Sequence, residues 1–369
     1  MRRITGIKVL AGLTACAAIV GLALSQAADD DRKPAQANVA DAMRRAAIAL
    51  LDSLEPELRK QATFDLKDEE RKKWSNLPAT MFERKGVSFG EMSAAQRVLA
   101  HHLIQSPLSS QGYLKAAGIM RVDEILKEAA ARTRPGAASM FGQDKYWIGI
   151  FGDPTAGEAW GWQLDGHHLA LNFTVVGDEI AVTPAFLGSD PAEVRGNLDS
   201  GFYALAKEDA RGRALFESLD QRQQAKALLE GDTPRDVIAG PGRAERLTKI
   251  TGLPAAGMTE RQRQLLTYLL HEYLGNLEPE LAKAHAARIH DAGIDKVHFS
   301  WAGTKANKPY YYRIHGPTIL IEFDNSYPPG QKQGLINHIH TVWRDTDRDY
   351  GEDLLRKHYE TSPHHENSE

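Results

Sequence analysis

Trp160-Gly161-Trp162-Gln163-Leu164-Asp165-Gly166-His167-His168-Leu169-Ala170-Leu171-Asn172-Phe173 is the stretch whose reading decides the fold class. Its apolar residues recur at every second position on either side of Asp165-Gly166, the period of a strand rather than a helix. Asp-Gly tolerates the two positive φ angles of a type I′ turn, so the stretch reads as a β-hairpin turning there. Leu164 then opposes His167, Gln163 opposes His168 and Trp162 opposes Leu169. One face gathers Trp160, Trp162, Leu164, Leu169, Leu171 and Phe173, with His167 at its turn end. The other gathers Gln163, His168, Asn172 and Thr174. The first is a core face and the second is polar.

A second hairpin echoes it. Trp160–Val175 can be laid on Tyr310–Asn325 without a gap, so that Gly166 meets Gly316, Leu169 meets Ile319 and Phe173 meets Phe323. With His315-Gly316 as the turn, Tyr310, Tyr312, Ile314, Ile319, Ile321 and Phe323 form the core face. Arg313, Thr318, Glu322 and Asp324 lie opposite, with Tyr311 and Leu320. Two carboxylates two residues apart are unusual in a strand unless they face water or a partner.

Outward from the hairpins, residues 145–186 and 298–345 read as strand regions, rich in aromatic and β-branched residues. Helical spacing marks residues 39–64, 93–105, 110–132, 211–229, 259–274 and 279–292, with Ser93 and Gln96 spaced as a capping pair. Leu54-Glu55-Pro56-Glu57-Leu58 returns as Leu277-Glu278-Pro279-Glu280-Leu281. The expected fold is therefore α+β: helices with antiparallel hairpins, in two pseudo-repeated helix-plus-hairpin units over 39–230 and 258–365. Chance similarity between amphipathic hairpins is the other explanation, and one compact domain over 39–365 the other arrangement. Any boundary falls in the Pro- and Gly-rich stretch 231–257.

The third polar piece is Asn337-His338-Ile339-His340-Thr341-Val342-Trp343-Arg344-Asp345. As a strand it places His338 and His340 on one face, about 7 Å apart, a reach suited to two ligands of one ion. Adding His168 and Asp324, or Glu322, makes a three-nitrogen, one-carboxylate set suited to a divalent transition metal, Zn²⁺ or Cu²⁺. The competing explanation is a polar sheet face whose histidines bond to backbone and carboxylates; a metal-free ligand pocket is the third. His167, beside the turn, reads as a packed histidine rather than a ligand.

The N-terminus sets the expected compartment. Arg2, Arg3 and Lys8 precede an uncharged apolar run from Val9 to Leu24, and Ser25-Gln26-Ala27 supplies small residues for cleavage. That order reads as a signal peptide over 1–27, then a polar leader over 28–38, and implies a periplasmic or secreted protein. Leu13-Thr14-Ala15-Cys16 resembles a lipobox, which would anchor the chain by lipid at Cys16, but apolar residues continue after it. Cys16 is the one cysteine of 369 residues, so a chain cut after Ala27 has no disulfide, thiolate ligand or cysteine nucleophile. The whole chain carries 45 basic and 49 acidic residues. Such a balance argues against a nucleic-acid partner. No second apolar run is long enough to span a bilayer. P-loop, dinucleotide, Gly-x-Ser-x-Gly and His-Glu-x-x-His signatures are absent.

At Trp160-Gly161-Trp162, Gly166-His167-His168-Leu169, Asn172-Phe173 and Pro184-Ala185-Phe186 the chain resembles the bacterial "domain of unknown function 3500" proteins. Gly316-Pro317, Ile321-Glu322-Phe323-Asp324-Asn325 and the run from Asn337 to Asp345, on to Tyr350-Gly351, carry the rest of the resemblance, over about residues 40–365. It implies a commonly exported protein and brings no reaction with it. The leading expectation is a metal-dependent hydrolase of an extracytoplasmic small molecule or glycan. His168, His338, His340 and Asp324 would hold the ion and Glu322 would act as base. Arg313 would orient the substrate, and Gln163, Asn172 and Arg344 would bind it. The alternative is a non-catalytic periplasmic protein that binds a metal or ligand.

Overall fold

Period-two alternation builds one continuous sheet. A computed structural model describes residues 36–196, 198–303 and 307–361, which fall in one compact unit, Pro34–Glu369. The expected signal peptide and most of the leader lie outside the described residues. The strands are β1 (Thr63–Phe64), β2 (Val87–Ser88), β3 (Tyr146–Phe151), β4 (Trp160–Gly166), β5 (Leu169–Val176) and β6 (Glu179–Ala181). They continue as β7 (Ala185–Ser189), β8 (Leu253–Pro254), β9 (His298–Ala302), β10 (Tyr310–Gly316), β11 (Ile319–Ser326) and β12 (His338–Arg344). Their order is β1-β3-β4-β5-β7-β12-β11-β10-β9-β8, with β2 on β3 and β6 on β5. Every pairing is antiparallel except β1 on β3. The class is α+β. The runs β3-β4-β5-β7 and β9-β10-β11-β12 repeat one connectivity and meet where β7 pairs with β12.

Both hairpins turn two residues later than expected. Gly166 pairs with Leu169, so His167-His168 make the turn, and His168 itself adopts a positive φ of 64°. Gly166 stays in the strand for a steric reason: a Cβ there would stand 2.2 Å from the Tyr146 ring on β3. The Tyr146 hydroxyl then donates to the His167 carbonyl at 2.7 Å and fixes the turn. Gly316 likewise pairs with Ile319, leaving Pro317-Thr318 as the turn. In each hairpin the sum of paired residue numbers rises by four, an even shift. Each residue therefore keeps the face expected of it.

The core face packs under helices. These are α1 (Ala37–Ser53), α2 (Pro56–Ala62), α3 (Ala94–Gln105), α4 (Ser110–Thr133), α5 (Ala206–Glu217), α6 (Gln221–Ala227), α7 (Glu260–Leu274), α8 (Pro279–Gly293) and α9 (Glu352–Thr361). Met43, Leu103, Ile119, Leu215, Leu269 and Leu281 meet Trp162, Leu171, Tyr312 and Phe323 in one core. The single helix expected over 211–229 is two, because Asp220 caps α6 with Gln223 as its reciprocal partner. Ser93–Gln96 and Thr259–Gln262 form the same capping box at α3 and α7.

The polar face is covered too. Trp74, Val237 and Tyr350, from three separate non-sheet segments, pack on Ala170, Phe186 and Val342. The Pro- and Gly-rich stretch 231–257 is thus part of the cover over the sheet.

Candidate metal centre

Three strands bring the histidines together. Alternation on β12 turns His338 and His340 to the polar face, while the β4–β5 turn delivers His168 beside them. His168 Nε2 lies 3.0 Å from His338 Nε2, and one ring nitrogen from each of His168, His338 and His340 falls within 4.8 Å of the others. Zn–N bonds of about 2.0–2.1 Å put tetrahedral nitrogens roughly 3.3 Å apart, so the spacing fits a shared ion. Gly188 on β7 makes room. A Cβ there would come within 3.0 Å of His168 Cδ2, 3.1 Å of His340 Cδ2 and 2.8 Å of the Ile339 carbonyl oxygen. His168 holds a backbone conformation uncommon outside glycine, of the kind that clusters at functional sites.

Carboxylates orient two of the rings. Asp236 Oδ1 stands 2.8 Å from His340 Nδ1, and Arg243 donates to the other Asp236 oxygen at 2.9 Å. His340 Nε2, on the far edge of the ring, is buried without a hydrogen-bond partner. Asp123 Oδ1 stands 2.6 Å from His167 Nδ1, and the His167 ring stacks on His168 at 3.8 Å. A carboxylate behind a ligating imidazole fixes its orientation and raises its basicity.

Electrostatics keep two rings neutral. Burial pushes His168 and His338 well below the ordinary imidazole range, and the neighbouring imidazoles push the same way. Neutral imidazole is the form that ligates metals. Burial also works against a charged His340, but the bond to Asp236 and the charges of Asp324, Asp236 and Asp190 outweigh it and raise it. Burial would raise Asp236 likewise; its bonds to His340 and Arg243 bring it down to about 2. Asp190 is pushed up to about 6 by burial, with His167 and His340 pulling it back.

Asp324 sits at the other edge of His340, its Oδ1 3.8 Å from Nδ1, in a group with Asp236. The structure gives the remaining expected residues other occupations. Glu322 accepts from the Ile238 and Ala239 amides, each at 2.7 Å, and from the Tyr311 hydroxyl at 2.6 Å. Both its oxygens are engaged in holding the covering loop, which leaves the role of base unsupported. Arg313 pairs across the strands with Glu322 and donates to the Thr251 hydroxyl. Arg344 donates to the Ala239 and Gly240 carbonyls and to Asp349. Gln163 donates to the Asn172 side chain at 2.7 Å, and Asn172 to the Pro184 carbonyl at 2.7 Å.

Sequence reasoning passed over Asp236, Asp123, Asp190 and Gly188. Asp236 lies in a stretch without periodicity and Asp123 inside a helix, and neither position carries a signal. Gly188 and Asp190 flank the end of β7, where a glycine within a strand run marks close approach of another chain segment.

Neither the curated proteins nor the solved structures compared contain a match. A family model described as "Protein of unknown function (DUF3500)" matches residues 36–352, which include the β-sheet and all three converging histidines. The chain belongs to that family.

Proposed function

We propose that this protein is an exported metal-dependent hydrolase that acts on an extracytoplasmic small molecule or glycan. One observation carries the reading: the buried nitrogens of His168, His338 and His340 converge, and His340 Nε2 has no partner. Three imidazoles fit a divalent ion such as Zn²⁺ and leave a fourth position, where the ion supplies a water of lowered pKa. Asp190, which directly follows the β7 residues paired with Ile339 and His340, becomes the candidate base in place of Glu322. Burial lifts its carboxyl to about 6, a range suited to accepting a proton near neutral pH. A cleft of about 630 Å³ is lined among others by Arg235, Lys308, Lys332, Asp232 and Ser326, and by none of the three histidines. Ser326 is the cross-strand partner of His338. Its cationic walls suit an anionic or hydroxyl-rich substrate.

A second reading is a non-catalytic metal-binding protein. The burial of all three rings, at 4%, 8% and 7% exposure for His168, His338 and His340, favours it. Elemental analysis by mass spectrometry, on protein purified without chelating resin, tests both. We expect a transition metal that disappears in the His338→Ala/His340→Ala variant. Asp190→Asn should keep the ion and lose at least ~10²-fold turnover on aryl ester, phosphate or glycoside substrates, the scale of general-base assistance. A loaded protein without turnover on that panel favours the binding reading. A folded, metal-free protein sinks both.

A further inference from the structure

Asp324 is fully buried, and neither of its carboxylate oxygens has a hydrogen-bond partner. Leaving such a group orphaned is unfavourable, most of all when it is charged, so a buried carboxylate without partners points to a missing one. It stands opposite His340 across the β11–β12 pair. Its Oδ1 is 3.8 Å from His340 Nδ1 and Asp236 Oδ1 is 2.8 Å from the same nitrogen. All three ligand atoms lie within 4.8 Å of one another. Both carboxylates thus stand at Nδ1, whereas Nε2, the other nitrogen of the ring, is buried without a partner.

We infer that a second divalent cation sits between Asp324, Asp236 and His340 Nδ1, and that the His340 ring bridges it to the ion of the three-histidine centre. The bridge rests on the reading of that centre given above; the carboxylate site rests on the orphaned Asp324. Two carboxylates and one imidazole nitrogen make a set suited to Zn²⁺ or a similar borderline ion. Binding on this side replaces the Nδ1 proton, which leaves to solvent, so His340 becomes an imidazolate holding one ion at each nitrogen. Asp236 keeps Arg243 on its second oxygen, while both Asp324 oxygens remain available. The division of labour follows from the ligands. The three-histidine ion keeps a position for water, and the carboxylate-side ion sets the orientation and basicity of the shared ring.

Chelator-stripped full-length protein is reloaded with Zn²⁺, desalted and its ions counted by mass spectrometry, with far-UV circular dichroism as the folding control. Two ions per chain are expected. Asp324→Asn should leave one, and His168→Ala should also leave one, retained on the carboxylate side. Asp236→Asn serves as the second carboxylate variant where Asp324→Asn does not fold. A single ion that His168→Ala abolishes and Asp324→Asn leaves untouched overturns this proposal and spares the three-histidine centre. A folded chain that binds no ion overturns both. Loading with Cu²⁺ gives a separate readout of the bridge. Magnetically coupled ions in electron paramagnetic resonance, replaced by an isolated signal in Asp324→Asn, support it; two uncoupled signals overturn it.

Discussion

Gly188 shows how much one hydrogen atom in place of a methyl can decide. With a Cβ there, two imidazoles and a carbonyl oxygen must all give way by a few tenths of an ångström or more. Gly188→Ala is expected to weaken metal affinity by about 10- to 100-fold, the scale of lost orientation behind ligands, while the chain still folds. Competition against a chromophoric chelator measures it, and unchanged affinity would show that the rings have slack. His285, away from the three-histidine centre, is one residue whose titration bears on stability. Burial beside Arg288 and Arg348 lowers it to about 3, so the stability of the neutral form is complete above the unfolded value near 6.5 and is lost below it. Each pH unit costs about 1.4 kcal/mol. Between pH 7.5 and 5, His285→Gln should therefore gain ~2 kcal/mol on the native protein in urea unfolding; parallel curves would refute the assignment. The His-x-His pair was legible because alternation alone places it. Asp236 was not, because its role depends on where a loop lands, which no local pattern encodes.

At the scale of elements, the faces of both hairpins were legible and their turns were not. Period two survives any even slip, whereas the turn was decided by the Tyr146 ring pressing on Gly166, a contact from another strand. The anchoring of segment 231–257 was illegible for a related reason. Its turn-rich composition suits a linker, yet its amides and carbonyls are spent on Glu322 and Arg344. Glu322→Gln turns an amide donor toward one of the two N–H groups. We expect a loss of about 1.5–3 kcal/mol, the range for hydrogen bonds to a charged group. Faster hydrogen exchange at residues 236–240 should accompany it. Protection equal to the native protein's would move the anchor elsewhere.

The whole molecule depends on contacts between its two half-sheets. β7 pairs with β12, Ser109 donates to the carbonyls of Gly275 and Asn276, and buried Lys115 bonds Glu272 from the other half. His168 comes from one half and His338 with His340 from the other. Residues 36–230 and 253–361 made separately should each lack a cooperative thermal transition, and co-expression should restore both folding and metal uptake. A half that melts cooperatively alone would mean that each unit is self-sufficient. The echo between the hairpins was readable from aligned glycines and apolar positions. That the halves meet through β7 and β12 was not, since partners some 150 residues apart share no sequence signal.

Residues 236–240 are fastened at three points: to His340 through Asp236, to Glu322 through two amides, and to Arg344 through two carbonyls. An ion held at the proposed centre would exchange as those fastenings open, through a local unfolding rather than a simple dissociation. Stripping and reloading would then run on the clock of that opening, so their rates would report the fastenings rather than the ligands.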